Sequence, residues 1–251
     1  DFYRDHSPRN QQRSSFRRHI QLAKDARKPL IIHDRDAHDE VIQIMQEENA
    51  AAAGGVLHCF SGDLEMARKC LEMGFYISFA GPLTYPKNEA LRAIAQALPI
   101  DMMLVETDCP YLSPQGWRGK RCEPAYVRTT AEKLAEIKGL TIEDVARITS
   151  LNAWRLFGIG KVDQSTRIAY VIRNSLYLNI TNRCTNSCTF CAKFNDFTVK
   201  GHQLCLEREP SVEEVMNAIG DPSPYDEVVF CGYGEPLLRL DLVKEVAAAM
   251  K

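Results

Sequence analysis

No stretch of this chain approaches the roughly eighteen consecutive apolar residues that a membrane-spanning helix needs, so no membrane span is expected. The opening Asp1-Phe2-Tyr3-Arg4-Asp5 has neither an initiator methionine nor the basic-then-apolar layout of a signal peptide. An excess of either charge is also missing. The formal net charge is -2 over 251 residues, from 31 basic and 33 acidic side chains. Residues 1–160 hold 21 of each sign, leaving 10 basic and 12 acidic for the rest. That excludes the broad basic surface of a non-specific nucleic-acid binder, but not an enzyme that grips phosphates with metals and a few arginines. There is no low-complexity segment and no repeat beyond an alternation of strands and helices. What is present suits a globular chain of one large or two smaller α/β units, with 45% apolar residues for a core and 25% charged residues for its surface. Three of the nine cysteines crowd into residues 184–191 and most others sit in or beside core-like runs, which points to a reducing, cytoplasmic setting rather than to disulfides.

Helical periodicity starts after Ser7-Pro8, read as a serine cap with proline in the first turn, and runs to Arg27-Lys28. Strands are predicted at 30–33, 56–58, 75–79 and 102–106, and helices at 37–48, 64–73 and 88–97 between them. Apolar strands alternating with helices of this length predict a parallel sheet covered on both faces. A Ser, Pro, Gly and Arg loop (113–122) precedes a helix at 125–137 and a short helix capped by Thr141 with Asp144. A boundary is expected at 160–172. Beyond it, strands are predicted at 170–172, 176–180 and 226–231, and helices at 212–219 and 241–250.

Three of the first four strands end in metal-ligand side chains: His33 after Leu30-Ile31-Ile32, His58 after Val56-Leu57, and Asp108 just past Leu104-Val105-Glu106. Ligands at the same end of successive parallel strands converge where α/β enzymes place their chemistry. Imidazole with carboxylate suits zinc, manganese or a related divalent ion. A metal there acidifies a water while the carboxylate accepts its proton. Taken singly, each histidine is better read as a polar strand cap or a helix-terminus partner, and only the joint pattern favours a site.

Four stretches carry a resemblance: Ile32-His33-Asp34-Arg35, Leu57-His58-Cys59-Phe60-Ser61-Gly62, Val105-Glu106-Thr107-Asp108-Cys109-Pro110 and Arg118-Gly119-Lys120-Arg121-Cys122-Glu123-Pro124. In order and spacing they resemble the motifs of the TatD family, metal-dependent deoxyribonucleases built on a (β/α)8 barrel. The resemblance covers residues 1–160. It implies an α/β fold that is a partial (β/α)8 TIM-type metallohydrolase barrel, about strands five to eight. It also implies two divalent metal ions (Zn, Mn or Mg), and hydrolysis of DNA or nucleotide phosphodiesters, typically from the 3′ end. His33 and His58 match metal-binding histidines and Asp108 the carboxylate that binds metal and activates water. Glu106 matches a catalytic-site carboxylate behind the ligands or on the substrate side. Arg35, Lys120 and Arg121 are candidates for holding substrate phosphates, or else solvated surface charges, and Tyr3 is a weaker candidate at the substrate mouth. The family's His-x-His strand and bridging glutamate have no counterpart here, and Cys122 stands where an asparagine is usual. The hydrolase unit is therefore expected to be N-terminally incomplete, and this chain alone inactive as a nuclease.

Cys184, Cys188 and Cys191 form a C-x3-C-x2-C loop after a strand. Three thiolates in one loop suit a 4Fe–4S cluster with an open iron. Zinc completed by His202 or Cys205, or three unrelated cysteines, are the other readings. With Phe190 before the last cysteine and Gly232-Tyr233-Gly234-Glu235-Pro236 after the next strand, residues 173–251 resemble the first βα units of the radical S-adenosylmethionine superfamily. The resemblance implies that the three cysteines hold the cluster and that Phe190 shields it. Gly232, Gly234 and Glu235 would meet the cofactor's methionine end, and an external electron donor would reduce the cluster. This unit is expected to be C-terminally incomplete, with 161–172 as linker. The reading is a hydrolase fused to a radical enzyme of unread substrate. The alternatives are an inactive hydrolase remnant carrying a structural zinc module, and a fragment with neither site filled.

Overall fold

The computed structural model describes residues 1–194 and 196–250, and they divide into two compact units, Asp1–Lys161 and Val162–Lys251. In the first unit, α1 (Arg9–Ala26) leads into β1 (Leu30–His33), α2 (His38–Glu47), β2 (Gly55–His58), α3 (Leu64–Glu72), β3 (Phe75–Phe79), α4 (Glu89–Ala97) and β4 (Met103–Val105). The strands form one parallel sheet in chain order, β1-β2-β3-β4. Two helices, α5 (Val127–Lys138) and α6 (Ile142–Phe157), close the unit.

The strands form where apolar residues can be buried on the sheet. Phe75, Ile77 and Phe79 of β3 are fully buried, and Leu57, Met103, Leu134 and Ile148 pack into the same core. At ~1.5–3 kcal/mol for each large apolar side chain removed from water, this cluster dominates the unit's stability. β1 alternates instead: Leu30 and Ile32 point inward while Ile31 stays 66% exposed. Salt bridges from Arg13 to Glu40 (3.0 Å) and from Arg17 to Glu47 and Glu48 tie α1 to α2, but solvent screening leaves exposed pairs of this kind little weight in stability.

Most element ends fall within one or two residues of those expected, with three differences. Pro8 flanks α1 rather than opening it, because its ψ of 136° is extended. The loop at 113–122 contains a 3-10 turn, Gln115–Trp117. The helix capped by Thr141 is not short. Its capping box with Asp144 starts a sixteen-residue helix, α6, pinned where buried Asn152 donates Nδ2 hydrogen bonds to the carbonyls of Ile100 (2.9 Å) and Met103 (2.8 Å).

In the second unit, β5 (Ala169–Ile172) and β6 (Ser175–Leu178) form an antiparallel hairpin, and β9 (Glu227–Phe230) joins β6 in parallel. A small hairpin of β7 (Thr198–Val199) and β8 (His202–Gln203) was not expected from the sequence. Its strands are two residues each, and its turn, Lys200-Gly201, has both φ angles positive, as a tight hairpin turn needs. α7 (Val212–Ile219), with a Ser211–Glu214 capping box, and α8 (Leu240–Ala249) cover the sheet. Leu176, Leu178, Ile180, Val215, Ile219, Leu242 and Val246 make this unit's own core. No helix of the described residues is long and apolar enough to cross a membrane.

Candidate functional site

The parallel register of β1 and β2 sets His33 directly opposite His58. Two pairings further along the sheet, Phe79 meets Val105, and the next amide, that of Glu106, donates to the Phe79 carbonyl at 3.0 Å. Both histidines and Glu106 thus reach the same edge of the sheet. Asp108 follows two residues later and its charge acts on both rings.

The contacts arrange the two rings in a defined way. His58 Nδ1 lies 2.7 Å from Glu106 Oε1, and His33 Nε2 lies 3.0 Å from Asp1 Oδ2. Protons on these carboxylate-facing nitrogens leave His58 Nε2 and His33 Nδ1 facing each other across 3.4 Å, each with a lone pair. Either a proton or a cation must occupy such a gap favourably. The titration directions agree: the Glu106 hydrogen bond raises the His58 pKa, while burial and then the His58 charge lower that of His33. A metal also fits. Two imidazole nitrogens bound tetrahedrally to one zinc at 2.0–2.1 Å stand about 3.3 Å apart. A carboxylate behind the ligating histidine, as Glu106 is behind His58, is the usual way to fix such a ring. Among the described residues, however, no three His, Cys, Asp or Glu side chains are already gathered into a metal-binding group.

Ser78 was not singled out from the sequence. Its hydroxyl donates to Glu106 Oε2 at 2.5 Å, so Glu106 is held from both sides. The signal was there, since a serine fully buried inside Phe-Tyr-Ile-Ser-Phe needs a polar partner. Asp1 was missed as well, and the sequence carries no cue for it. Arg35 stacks on Tyr3, its guanidinium carbon 3.4 Å from the ring centroid, and its carbonyl accepts from the Phe2 amide at 2.9 Å. This ties Tyr3 to the loop that follows His33. Lys120 and Arg121 are exposed on the turn after Trp117.

In the second unit the cysteine loop leaves β6 and the Gly232–Pro236 loop leaves the adjacent parallel β9, so both motifs emerge at the same end of neighbouring strands. Asn186, inside the cysteine loop, donates to Glu235 Oε2 at 3.2 Å, and the Glu235 amide donates to the Arg183 carbonyl at 2.8 Å. Buried Asn179 organises the junction. Its Nδ2 donates to the carbonyls of Arg167 (3.0 Å) and Leu204 (2.7 Å), and its Oδ1 accepts from the Tyr233 amide (3.2 Å). The glycines are required by close approach. A Cβ on Gly232 would lie 2.1 Å from Asn179 Oδ1, and one on Gly234 would lie 2.3 Å from the Thr181 carbonyl oxygen. The Cys184 sulfur accepts the Asn186 amide at 3.4 Å, and the Cys191 amide turns back onto the Cys188 carbonyl at 3.2 Å. Cys184 and Cys188 are exposed and Cys191 half-buried, with all nine cysteines free, so the thiols of the loop remain accessible as ligands. Phe190 is 88% exposed beside them.

The family model for TatD related DNase matches residues 1–158. The chain belongs to this family. A second model, that of the Radical SAM superfamily, matches residues 178–251. Relatives of the TatD-type unit include the uncharacterized metal-dependent hydrolase YabD of Bacillus subtilis, 48% identical over 159 residues, or 63% of this chain and 62% of that protein. The metal-dependent hydrolase YcfH of Escherichia coli is 46% identical over 159 residues, covering 63% of this chain and 60% of that protein. The 3′-5′ ssDNA/RNA exonuclease TatD of Citrobacter rodentium is 34% identical over 164 residues, 63% of this chain and 62% of that protein. The chain thus spans about six-tenths of the length of these relatives. Among solved structures, the Escherichia coli TatD homolog YJJV aligns with a TM-score of 0.53 at 28% identity, covering 56% of this chain and 54% of that one. These likenesses place the first unit in the TatD-related family with a TIM-barrel-like α/β fold, and a Radical SAM superfamily match accompanies it.

Proposed function

We propose that residues 1–160 contribute to a metal-dependent phosphodiester hydrolase, a deoxyribonuclease that trims DNA from its 3′ end when its site is complete, and that residues 173–251 contribute to radical S-adenosylmethionine chemistry, with 161–172 as the linker. The observation that carries the first assignment is the pair of ring nitrogens, His33 Nδ1 and His58 Nε2, facing each other across 3.4 Å, with Glu106 fixed behind. The exonuclease name of the Citrobacter relative supports the substrate and polarity. In this reading β1 to β4 are strands five to eight of a (β/α)8 barrel. His33, His58 and Asp108 would hold divalent metal, two ions of Zn, Mn or Mg in the complete site. Metal bound there supplies Lewis acidity toward the phosphate. Asp108 accepts the proton of the attacking water, Glu106 keeps His58 in one tautomer, and Arg35, Lys120 and Arg121 hold backbone phosphates.

In the second unit Cys184, Cys188 and Cys191 would ligate a 4Fe–4S cluster, with Phe190 over it. Gly232 and Gly234 let the backbone approach S-adenosylmethionine, and Glu235 meets its ammonium. A cluster held by these cysteines would supply one-electron reducing chemistry, with its electrons drawn from an external electron donor. The free thiols suit a reducing, cytoplasmic compartment.

Two measurements test these assignments. Anaerobic reconstitution is expected to yield about four irons per chain with visible absorption, whereas zinc without iron would remove the radical assignment. Titration with Mn²⁺ or Zn²⁺ is expected to show binding that Asp108→Asn and His58→Ala each weaken about 10- to 100-fold. Unchanged binding in both variants would remove the hydrolase site.

A further inference from the structure

Tyr111 is the most exposed aromatic side chain of the first unit, at 71%, and lies three residues past Asp108. A scattered exposed tyrosine is ordinary. This one differs in how firmly its backbone is held. The Tyr111 amide donates to the Asp108 carbonyl at 2.8 Å, and the Cys122 amide donates to the Pro110 carbonyl at 3.0 Å. Leu112 takes a left-handed φ of 52°, and its carbonyl packs against Gly81, where a Cβ would stand only 2.1 Å from that oxygen. Ser113, which follows, is buried. Its carbonyl accepts from the Tyr85 hydroxyl (2.9 Å), and its own hydroxyl donates to the Lys120 carbonyl (2.7 Å). Among the described residues no ring or cation stacks on Tyr111, although Trp117 stacks on Tyr126 and Arg118 covers Tyr85 in the loops around it. The Cys122–Pro110 bond also joins the backbone next to exposed Arg121 to the backbone next to Tyr111. An uncovered aromatic face on a pinned turn, bonded through its amide to the candidate metal ligand and in a loop that carries an exposed arginine, matches what one unpaired nucleotide offers: a base to stack and a phosphate to pair.

We propose that Tyr111 is the stacking platform for the terminal base of single-stranded nucleic acid, setting the scissile phosphate against Asp108 while Arg121 takes the neighbouring phosphate. The inference rests on the hydrolase reading and adds to it a positioning residue.

The test is fluorescence anisotropy with the whole chain in EDTA, which prevents cleavage. Labelled oligothymidine is compared with the same phosphodiester backbone made of abasic spacers. Tyr111→Ala is expected to weaken oligothymidine binding about tenfold and to leave abasic binding unchanged. Tyr111→Phe should keep wild-type affinity, and Arg121→Ala should weaken both ligands alike. If Tyr111→Ala changes neither ligand, or both equally, while Arg121→Ala weakens both, the stacking role is overturned and the hydrolase reading stands. If the wild-type chain binds neither ligand, the nucleic-acid reading falls and the stacking role falls with it.

Discussion

At Gly234 a methyl group would sit 2.3 Å from the Thr181 carbonyl oxygen and 2.5 Å from that of Arg183. Neither is a flexible side chain that can swing away, so the loop itself would have to move. Gly234→Ala is expected to break the Glu235 amide bond to Arg183 and cost ~1–3 kcal/mol in urea unfolding. It should also weaken S-adenosylmethionine binding by calorimetry. Wild-type stability and affinity together would show that the close approach is not needed. Ser78 makes the opposite case, where a small polar group is needed rather than tolerated. It fills the second face of Glu106, and nothing in a β-strand pattern marks it except that it breaks the apolar run.

Among the elements, α5 and α7 depend on different forces. Leu134 of α5 is fully buried in the first core, and Leu134→Ala is expected to cost ~2–5 kcal/mol, read as a lower urea midpoint. A loss below the range of ordinary surface substitutions would place Leu134 outside the core. α7 begins at a charged cap. Glu214 accepts the Ser211 amide at 2.8 Å and pairs with Arg208, which together hold its carboxyl down to about 2 from 4.5. A carboxyl with a depressed folded pKa contributes stability that is fully present above its unfolded value. That contribution fades as pH falls from about 4.5 toward about 2. The group is exposed, so solvent screening keeps the effect small. Glu214→Gln is expected to lower Tm at neutral pH, with the gap to wild type closing as pH approaches the folded pKa. A gap independent of pH would assign the difference to packing instead.

For the whole chain, the two candidate sites lie in two units with separate cores. Cys188→Ser is expected to abolish iron loading and the visible chromophore while leaving Mn²⁺ or Zn²⁺ binding at the first site intact. His58→Ala should do the reverse. Loss of both metals in either variant would contradict two separate ligand sets. The net charge of -2 gives the molecule no long-range pull on nucleic acid. In the proposed reading, nucleic-acid binding would come from local groups such as Arg121 and Tyr111.

The strand–helix alternation, the parallel sheet, the two capping boxes and the strand-end histidines were all legible in the sequence, because burial periodicity and cap chemistry are local. The Cys-x3-Cys-x2-Cys loop and the glycine motif were legible for the same reason, their residues being neighbours in the chain. Only the tertiary structure decided that His33 stands opposite His58, since strand register depends on how the whole sheet packs. It alone placed Ser78 and Asp1 on the two ends of the His–Glu arrangement and Asn186 on Glu235, through contacts spanning 28 to 49 residues. Those pairings come from side chains brought together by folding, and no spacing rule along one chain encodes them.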